Sequence, residues 1–223
     1  MWLVIFLTFL CFYLVAIQPD LGTSLIILLA GILPVIISGF PWIYIFLGGF
    51  LGVLSLPLIW LSLYEYQRQR VLTLFNPEAD IYGAGWNIVQ SKIAVGSGGL
   101  LGKGFLNGSQ SQLNFIPESH SDFIFSVIAE EFGLLGVCIL LFVYGILIFR
   151  LLLVAFRSTN RFAKIVSGTL SIVLLAYISI NISMVIGILP VVGMPLPFLS
   201  QGGTALIVNL LTIGIILSLR KEV

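Results

Sequence analysis

Six apolar stretches, each about the length a helix needs to cross a bilayer, constrain this chain more than anything else in it. They run from Met1 to Ile17, Leu21 to Phe40, Trp42 to Tyr64, Phe123 to Phe149, Ile165 to Leu189 and Phe198 to Leu219. Hydrocarbon offers the backbone no hydrogen-bond partners, so uninterrupted apolar runs of this length read as helices. The expected fold is an all-α integral membrane protein, a polytopic bundle of six transmembrane helices, with residues 1–223 forming one membrane domain. The first stretch lacks the basic start and small-residue cleavage site of a signal peptide, and Gln18-Pro19-Asp20 leads straight into the next, so it reads as a retained helix. Pro34 falls inside the second stretch, and Pro57 predicts a kink near the end of the third.

The balance of residue types supports this. Hydrophobic residues make up 59% of the chain and charged ones 9%, against about 25% charged in soluble domains. A net charge of +1 gives no basic surface for nucleic acid. Cys11 and Cys138 both lie in apolar runs and read as packing residues.

Short loops set orientation. Arg150, Arg157, Arg161 and Lys164 cluster between the fourth and fifth stretches, and Arg220 and Lys221 follow the sixth, whereas Pro190 to Pro197 carries no charge. The basic segments are therefore expected in the cytoplasm together with both termini. Residues 65–121, Asp20 and the segment from Pro190 to Gly203 then lie outside.

Residues 65–121 are mostly polar and glycine-rich, too long for a connection without a task. Arg68 and Arg70 could grip a phosphate or carboxylate with paired donors, or touch lipid headgroups or Glu65. Trp86, Val89 and Ile93 have the spacing of a short amphipathic helix lying at the interface, with Lys92 beside its apolar stripe. Gly96, Gly98, Gly99, Gly102 and Gly104 surround Lys103, but the Walker pattern fails at Ser97 and Gly104, which leaves tight turns or an anion-binding backbone nest. Ser200-Gln201-Gly202-Gly203-Thr204 is a second stretch of exposed backbone, or a plain helix entry.

The chain's organising stretch is Asn114 to Gly136. It sets Glu118, His120 and Asp122 where the polar loop becomes an apolar span, and Glu130 and Glu131 about two turns further in. Ionisable groups in or beside a bilayer are costly and so point to function. Ser119, His120 and Asp122 are too close in sequence to converge as a hydrolase triad. A metal site on Glu118, His120 and Asp122 lacks a second histidine. Asp122 reads equally as one half of a capping box with Ser119 at the helix start. Glu130 and Glu131 lie about 100° apart around a helix and cannot share one small site; one is expected to pair within the bundle and the other to line a polar cavity. Asn181 reads as an interhelical hydrogen-bonding residue.

Six runs, QPDLGTS (18–24), YQRQRV (66–71), GAGWNIVQSKIAVGSGGLLGKG (83–104), QSQLNFIPESHSDFIF (110–125), AEEFGLLG (129–136) and NISMVIGILPVVGMPLPFLSQGGTA (181–205), resemble the SEDS family of RodA, FtsW and SpoVE. QSKIAVGSGG and GSQSQLNF are most similar to its elongation branch. The resemblance implies a glycosyltransferase that polymerises lipid II into peptidoglycan strands at the outer face of the bacterial cytoplasmic membrane during elongation and rod-shape maintenance. It implies a class B penicillin-binding protein and the elongation machinery as partners. It also places the family's proposed catalytic aspartate on Asp122. Family members have about ten spans, so this chain resembles their part from near the fifth span onward, and Gln201 departs from the residue usual before Gly-Gly.

That chemistry suits the residues. Transfer from a lipid-pyrophosphate donor needs a base for the acceptor hydroxyl, which Asp122 can supply, and positive charge for the leaving group. Arg68, Arg70, Lys92 or a divalent cation (Mg or Mn) can supply the charge, with Glu118, His120, Ser200, Gly202 and Gly203 as further substrate contacts. Two other classes stand beside this one: a flippase of the lipid-linked precursor using Glu130 or Glu131 as a relay, and a catalytically silent scaffold.

Overall fold

The computed structural model describes residues 2–18, 20–77, 83–113, 115–116 and 119–220. They form helices α1 (Trp2–Ile17), α2 (Leu21–Ile37), α3 (Trp42–Ser62), α4 (Glu65–Phe75), α5 (Ala84–Ser97), α6 (Ser109–Gln112), α7 (Ile124–Arg157), α8 (Arg161–Val185) and α9 (Gly203–Leu219), with no strand among the described residues. Among the described residues two helices, α7 and α8, are long and apolar enough to cross a membrane, and α1, α2, α3 and α9 are apolar over shorter lengths.

Several boundaries differ from those expected. Helix α7 continues past Phe149 through Arg150 to Arg157, because arginine is a good helix former and charge ends a hydrophobic run without ending a helix. Helix α9 begins at Gly203 and not at Phe198, which has a left-handed φ of 67° in the preceding turn. Helix α3 runs through Pro57, as its expected span did, and ends at Ser62 instead of Tyr64.

Residues 65–121 carry structure of their own. Helix α4 has no signal in the apolar pattern; its start is fixed by Tyr64 N–H donating to Gln67 Oε1 at 3.1 Å. Helix α5 is found where the apolar spacing placed one, and a second face of it is covered by the rest of the protein. Ile88, Ser91 and Ala94 are fully buried, whereas Ile93 is 45% exposed. Ser91 Oγ donates to Val185 O at 2.8 Å, one of the carbonyls that the end of α8 leaves without a helical partner. That polar bond to α8, absent from any apolar count, turns the helix.

The core lies among α5, α7, α8 and α9, around Phe123, Phe125, Ile178, Met184, Leu196 and Ile216. Helices α1 and α2 approach closely where Gly31 faces Thr8, and α2 reaches α8 where Ile37 meets Gly168.

The glycine run fills a break in α7. At Gly133 the backbone adopts φ 63° and ψ −163°, interrupting the helical ladder. Residues 98–104 lie across the gap: Lys103 N–H and Gly104 N–H donate to Glu130 O and Glu131 O, both at 3.0 Å, while Leu134 N–H and Leu135 N–H donate to Gly99 O and Leu100 O at 2.9 and 3.1 Å. Unpaired backbone groups inside a protein are costly, and this strand-like exchange satisfies four of them. A Cβ on Gly102 would strike Glu131 O, which explains glycine there. The amides of Lys103 and Gly104 are thus spent on α7, which replaces the anion-nest reading of this run.

Candidate functional site

Residues 119–123 form turns ahead of α7, with Phe123 at the N-cap position and no side-chain cap hydrogen bond. Ser119 and Asp122 therefore precede the helix, and the capping box expected of them is not formed across its first turn. What holds the turn is the chain's other end. His120 O accepts from Gln201 N–H at 2.9 Å, Ser121 O from Ser200 Oγ at 2.6 Å, and Asp122 O from Asn181 Nδ2 at 2.8 Å. Three consecutive carbonyls are each fastened to α8 or to the loop that follows it.

The two side chains involved also shape that loop. Asn181, fully buried in α8, donates to Met194 O at 2.6 Å. Ser200 Oγ accepts from Leu196 N–H at 2.6 Å. Tyr144 of α7 donates to Pro197 O at 2.6 Å. Phe123, 1% exposed, anchors the turn in the core, and Asp122 is left half-buried at its rim. Gly193, with φ 70°, passes beside the carboxylate: a Cβ there would stand 3.6 Å from Asp122 Oδ2. Asn181 is accordingly a helix-to-turn clamp more than an interhelical bond, a role its position in an apolar run gave no means of reading.

Other expected residues gather at the same end. Asp20 caps α2, accepting from Thr23 N–H at 2.9 Å. Two residues on, Gly22 faces Val192 O and the Met194 side chain. Lys92 is exposed on α5, and its side chain lies over Gly187, just beyond the carboxyl end of α8. Gly202 stands at the N-cap of α9 and Gly203 opens the helix, with no side-chain cap. His120 is exposed. Glu118 lies outside the described residues, as do Glu78 and Asp80.

Arg68 is occupied. Its Nε donates to Trp60 O at 3.0 Å and its Nη2 to Leu61 O at 2.7 Å, so it closes the end of α3. Arg70 is half-buried on α4.

Glu130 is fully buried and well provided with donors. Oε1 accepts from Lys103 Nζ at 2.7 Å, Ser109 Oγ at 3.1 Å and Gln110 N–H at 3.0 Å, while Oε2 accepts from Ser111 N–H at 3.2 Å. It pairs within the bundle, as expected of one of the two glutamates, and locks the glycine segment and α6 onto α7. Its partner Lys103, read from sequence only as part of the glycine run, is the residue sequence reasoning missed. Glu131 is 4% exposed.

The arrangement is thus a carboxylate on an immobilised turn, with a glycine beside it and Lys92 on the neighbouring helix. Known proteins share this chain's sequence and fold. The FtsW/RodA/SpoVE family, described as "Cell cycle protein", matches residues 1–223. Peptidoglycan glycosyltransferase MrdB of Escherichia coli is 51% identical over 210 residues, covering 94% of this chain and 57% of that protein. Stage V sporulation protein E of Bacillus subtilis is 33% identical over 222 residues, covering 96% of this chain and 58% of that protein. This chain therefore spans little more than half the length of these relatives. Among solved structures, one described as a peptidoglycan synthase complex that coordinates polymerization and crosslinking superposes with a TM-score of 0.82 at 31% identity, covering 99% of this chain and 61% of that one. Thermus thermophilus rod shape determining protein RodA gives 0.64 at 26% identity, covering 100% and 56%. With the match extending through every element that fastens the Asp122 turn, the chain belongs to the FtsW/RodA/SpoVE family.

Proposed function

We propose that this chain carries the polymerising centre of a peptidoglycan glycosyltransferase that joins lipid II units during cell elongation, with Asp122 as the general base. The observation that carries this reading is the fastening of three successive carbonyls, at residues 120, 121 and 122, which fixes the direction in which the carboxylate leaves the backbone. A positioned base contributes about 10²- to 10⁴-fold to such a reaction. Asp122 takes the proton of the acceptor hydroxyl as that oxygen attacks the donor sugar's anomeric carbon. The bond to the lipid pyrophosphate breaks on the opposite side, inverting the centre. Lys92 and Arg70 are the cations of the outer segment with side chains not engaged by other described residues, and they balance the departing pyrophosphate. Arg68 has given two of its donors to α3, so Arg70 is the stronger of the two arginines for this role.

The membrane topology belongs to the same proposal. Six spans, both termini in the cytoplasm and residues 65–121 outside put Asp122 at the outer face, where lipid II presents its sugars. Helices α4 to α6 then fold as an outer cap on the spans. A class B penicillin-binding protein fits as the crosslinking partner, since the synthase complex that this chain superposes on coordinates polymerization with crosslinking. Among the described residues no three His, Cys, Asp or Glu side chains stand close enough to hold a metal ion. The flippase reading needs Glu130 or Glu131 as an intramembrane relay; Glu130 is already committed to Lys103 and the α6 amides, which leaves that reading Glu131.

The deciding experiment supplies lipid II to purified protein in detergent, joined to the remainder of the Escherichia coli relative. Detergent has no second leaflet, so only an enzyme yields glycan polymer there. Precursor transport in vesicles without polymer in detergent would replace the proposal with the flippase.

A further inference from the structure

At the far end of α7, away from Asp122, a cavity of about 420 Å³ opens between the last turns of α7 and α9, lined by Arg150, Leu151, Leu153, Val154, Arg157, Leu217 and Arg220. Arg150, Leu153 and Arg157 lie at i, i+3 and i+7 on one face of α7, and Leu217 stands in the last turn of α9 with Arg220 as its C-cap, so three arginines line the cavity from two helix ends. All three arginines are exposed, and among the described residues no carboxylate is paired with any of them. The described acidic residues are Asp20, Glu65, Asp122, Glu130 and Glu131, none of which lines this cavity. The one acidic residue near in sequence, Glu222, lies outside the described residues.

Positive charge at a cytoplasmic helix end is expected of any membrane protein and needs no ligand. Convergence on one cavity with leucine walls is more specific. Arg150 and Arg157 are seven residues apart, about 10 Å along the axis, enough to span the headgroup layer of roughly 5–7 Å on one side of a bilayer. The apolar wall suits acyl chain and glycerol, and guanidiniums match phosphate oxygens with paired donors. A free phosphate would use the arginines and leave the leucines without a role.

We propose that this cavity binds the phosphate headgroup of an anionic phospholipid, with Arg150, Arg157 and Arg220 as its ligands. The site requires only that α7 and α9 end at a membrane surface, and it stands apart from the reaction assigned to Asp122.

Lipid retention in detergent tests it, since no surface potential is present to favour charge in general. Purified protein is supplied with phosphatidylglycerol or phosphatidylcholine, and bound lipid is counted by native mass spectrometry. Wild type should prefer phosphatidylglycerol. Arg150→Gln with Arg157→Gln should lower its retention by at least about tenfold, because each change removes charge-assisted donors to the phosphate. Arg161→Gln with Lys164→Gln, which removes the same charge from outside the cavity, should leave it unchanged. Equal losses in the two pairs, or none in the first, would overturn the site. Displacement of the lipid by millimolar inorganic phosphate would overturn the lipid assignment in favour of a free-anion site. Should the arginine pair fail to fold, Leu217→Trp gives an independent reading: brominated phosphatidylglycerol should quench its fluorescence more strongly than brominated phosphatidylcholine, and equal quenching would count against the proposal.

Discussion

Asn181 donates its side-chain amide to the carbonyl of Asp122 at 2.8 Å and to that of Met194 at 2.6 Å, so one fully buried residue ties the carboxylate's own backbone to the loop that runs beside it. Asn181→Ala would leave two carbonyls without this donor, each costing about 1–3 kcal/mol. Asn181→Asp would set an acceptor against both. Thermal unfolding in detergent should register both losses, the aspartate variant's being larger. Lipid II turnover should fall further than KM rises, because the base is displaced while the binding groups remain. A change confined to KM would detach the clamp from the base.

Glu130 and Lys103 form the second internal tie. Glu130→Ala removes the acceptor of four hydrogen bonds and strands an ammonium that is partly buried, so unfolding should become easier by about 3–5 kcal/mol. Adding Lys103→Met to that variant should recover part of the loss. A strictly additive pair would mean that the 2.7 Å contact contributes nothing in the folded protein.

Gly133 offers a cleaner contrast. Its φ of 63° and ψ of −163° belong to a region that essentially only glycine occupies, and a Cβ would stand 2.8 Å from Leu100 O and closer still to Gly102 N. Gly145, in the same helix, has nothing within 4 Å of its would-be Cβ. Gly133→Ala should destabilise by at least about 1–3 kcal/mol, whereas Gly145→Ala should be neutral or stabilising by up to about 1 kcal/mol. Similar melting temperatures for the two variants would mean that the break in α7 does not depend on glycine.

These contrasts show what could be read from residue order. Apolar length located every long helix, because hydrocarbon enforces helix regardless of partners. It could not locate α7's end, since Arg150 and Arg157 stop a hydropathy count while extending a helix. The motif around Asp122 was legible as a candidate site because a carboxylate at the junction of loop and span is costly wherever it stands. Its fastening was not. Asn181, Ser200 and Gln201 lie 59, 79 and 81 residues beyond the carbonyls they hold, and no periodicity encodes a bond across that distance. The face of α5 that packs inside the protein was not legible for a related reason: Ser91 counts as polar and yet is buried by its bond to Val185 O.

Sidedness can be checked without activity. Asn107 and Thr159 are both exposed in the structure and fall on opposite sides of the proposed membrane. An impermeant thiol reagent should label Asn107→Cys in intact cells and Thr159→Cys only after permeabilisation. Equal labelling would remove Asp122 from the outer face, and with it access to lipid II.

The last test falls on Asp122 itself, in a chain joined to the remainder of its Escherichia coli relative. Asparagine nearly matches aspartate in size and cannot take a proton at neutral pH. Helix α7 starts at Ile124 with no side-chain cap, so the exchange should shift unfolding by no more than about 1 kcal/mol. Turnover should nevertheless fall by two or more orders of magnitude. Asp122→Glu keeps the base but displaces its oxygens by one methylene group, and should retain partial activity. An Asp122→Asn protein that polymerises lipid II at the normal rate would remove Asp122 from the mechanism, because its backbone would still be fastened at all three carbonyls and only the proton acceptor would have gone.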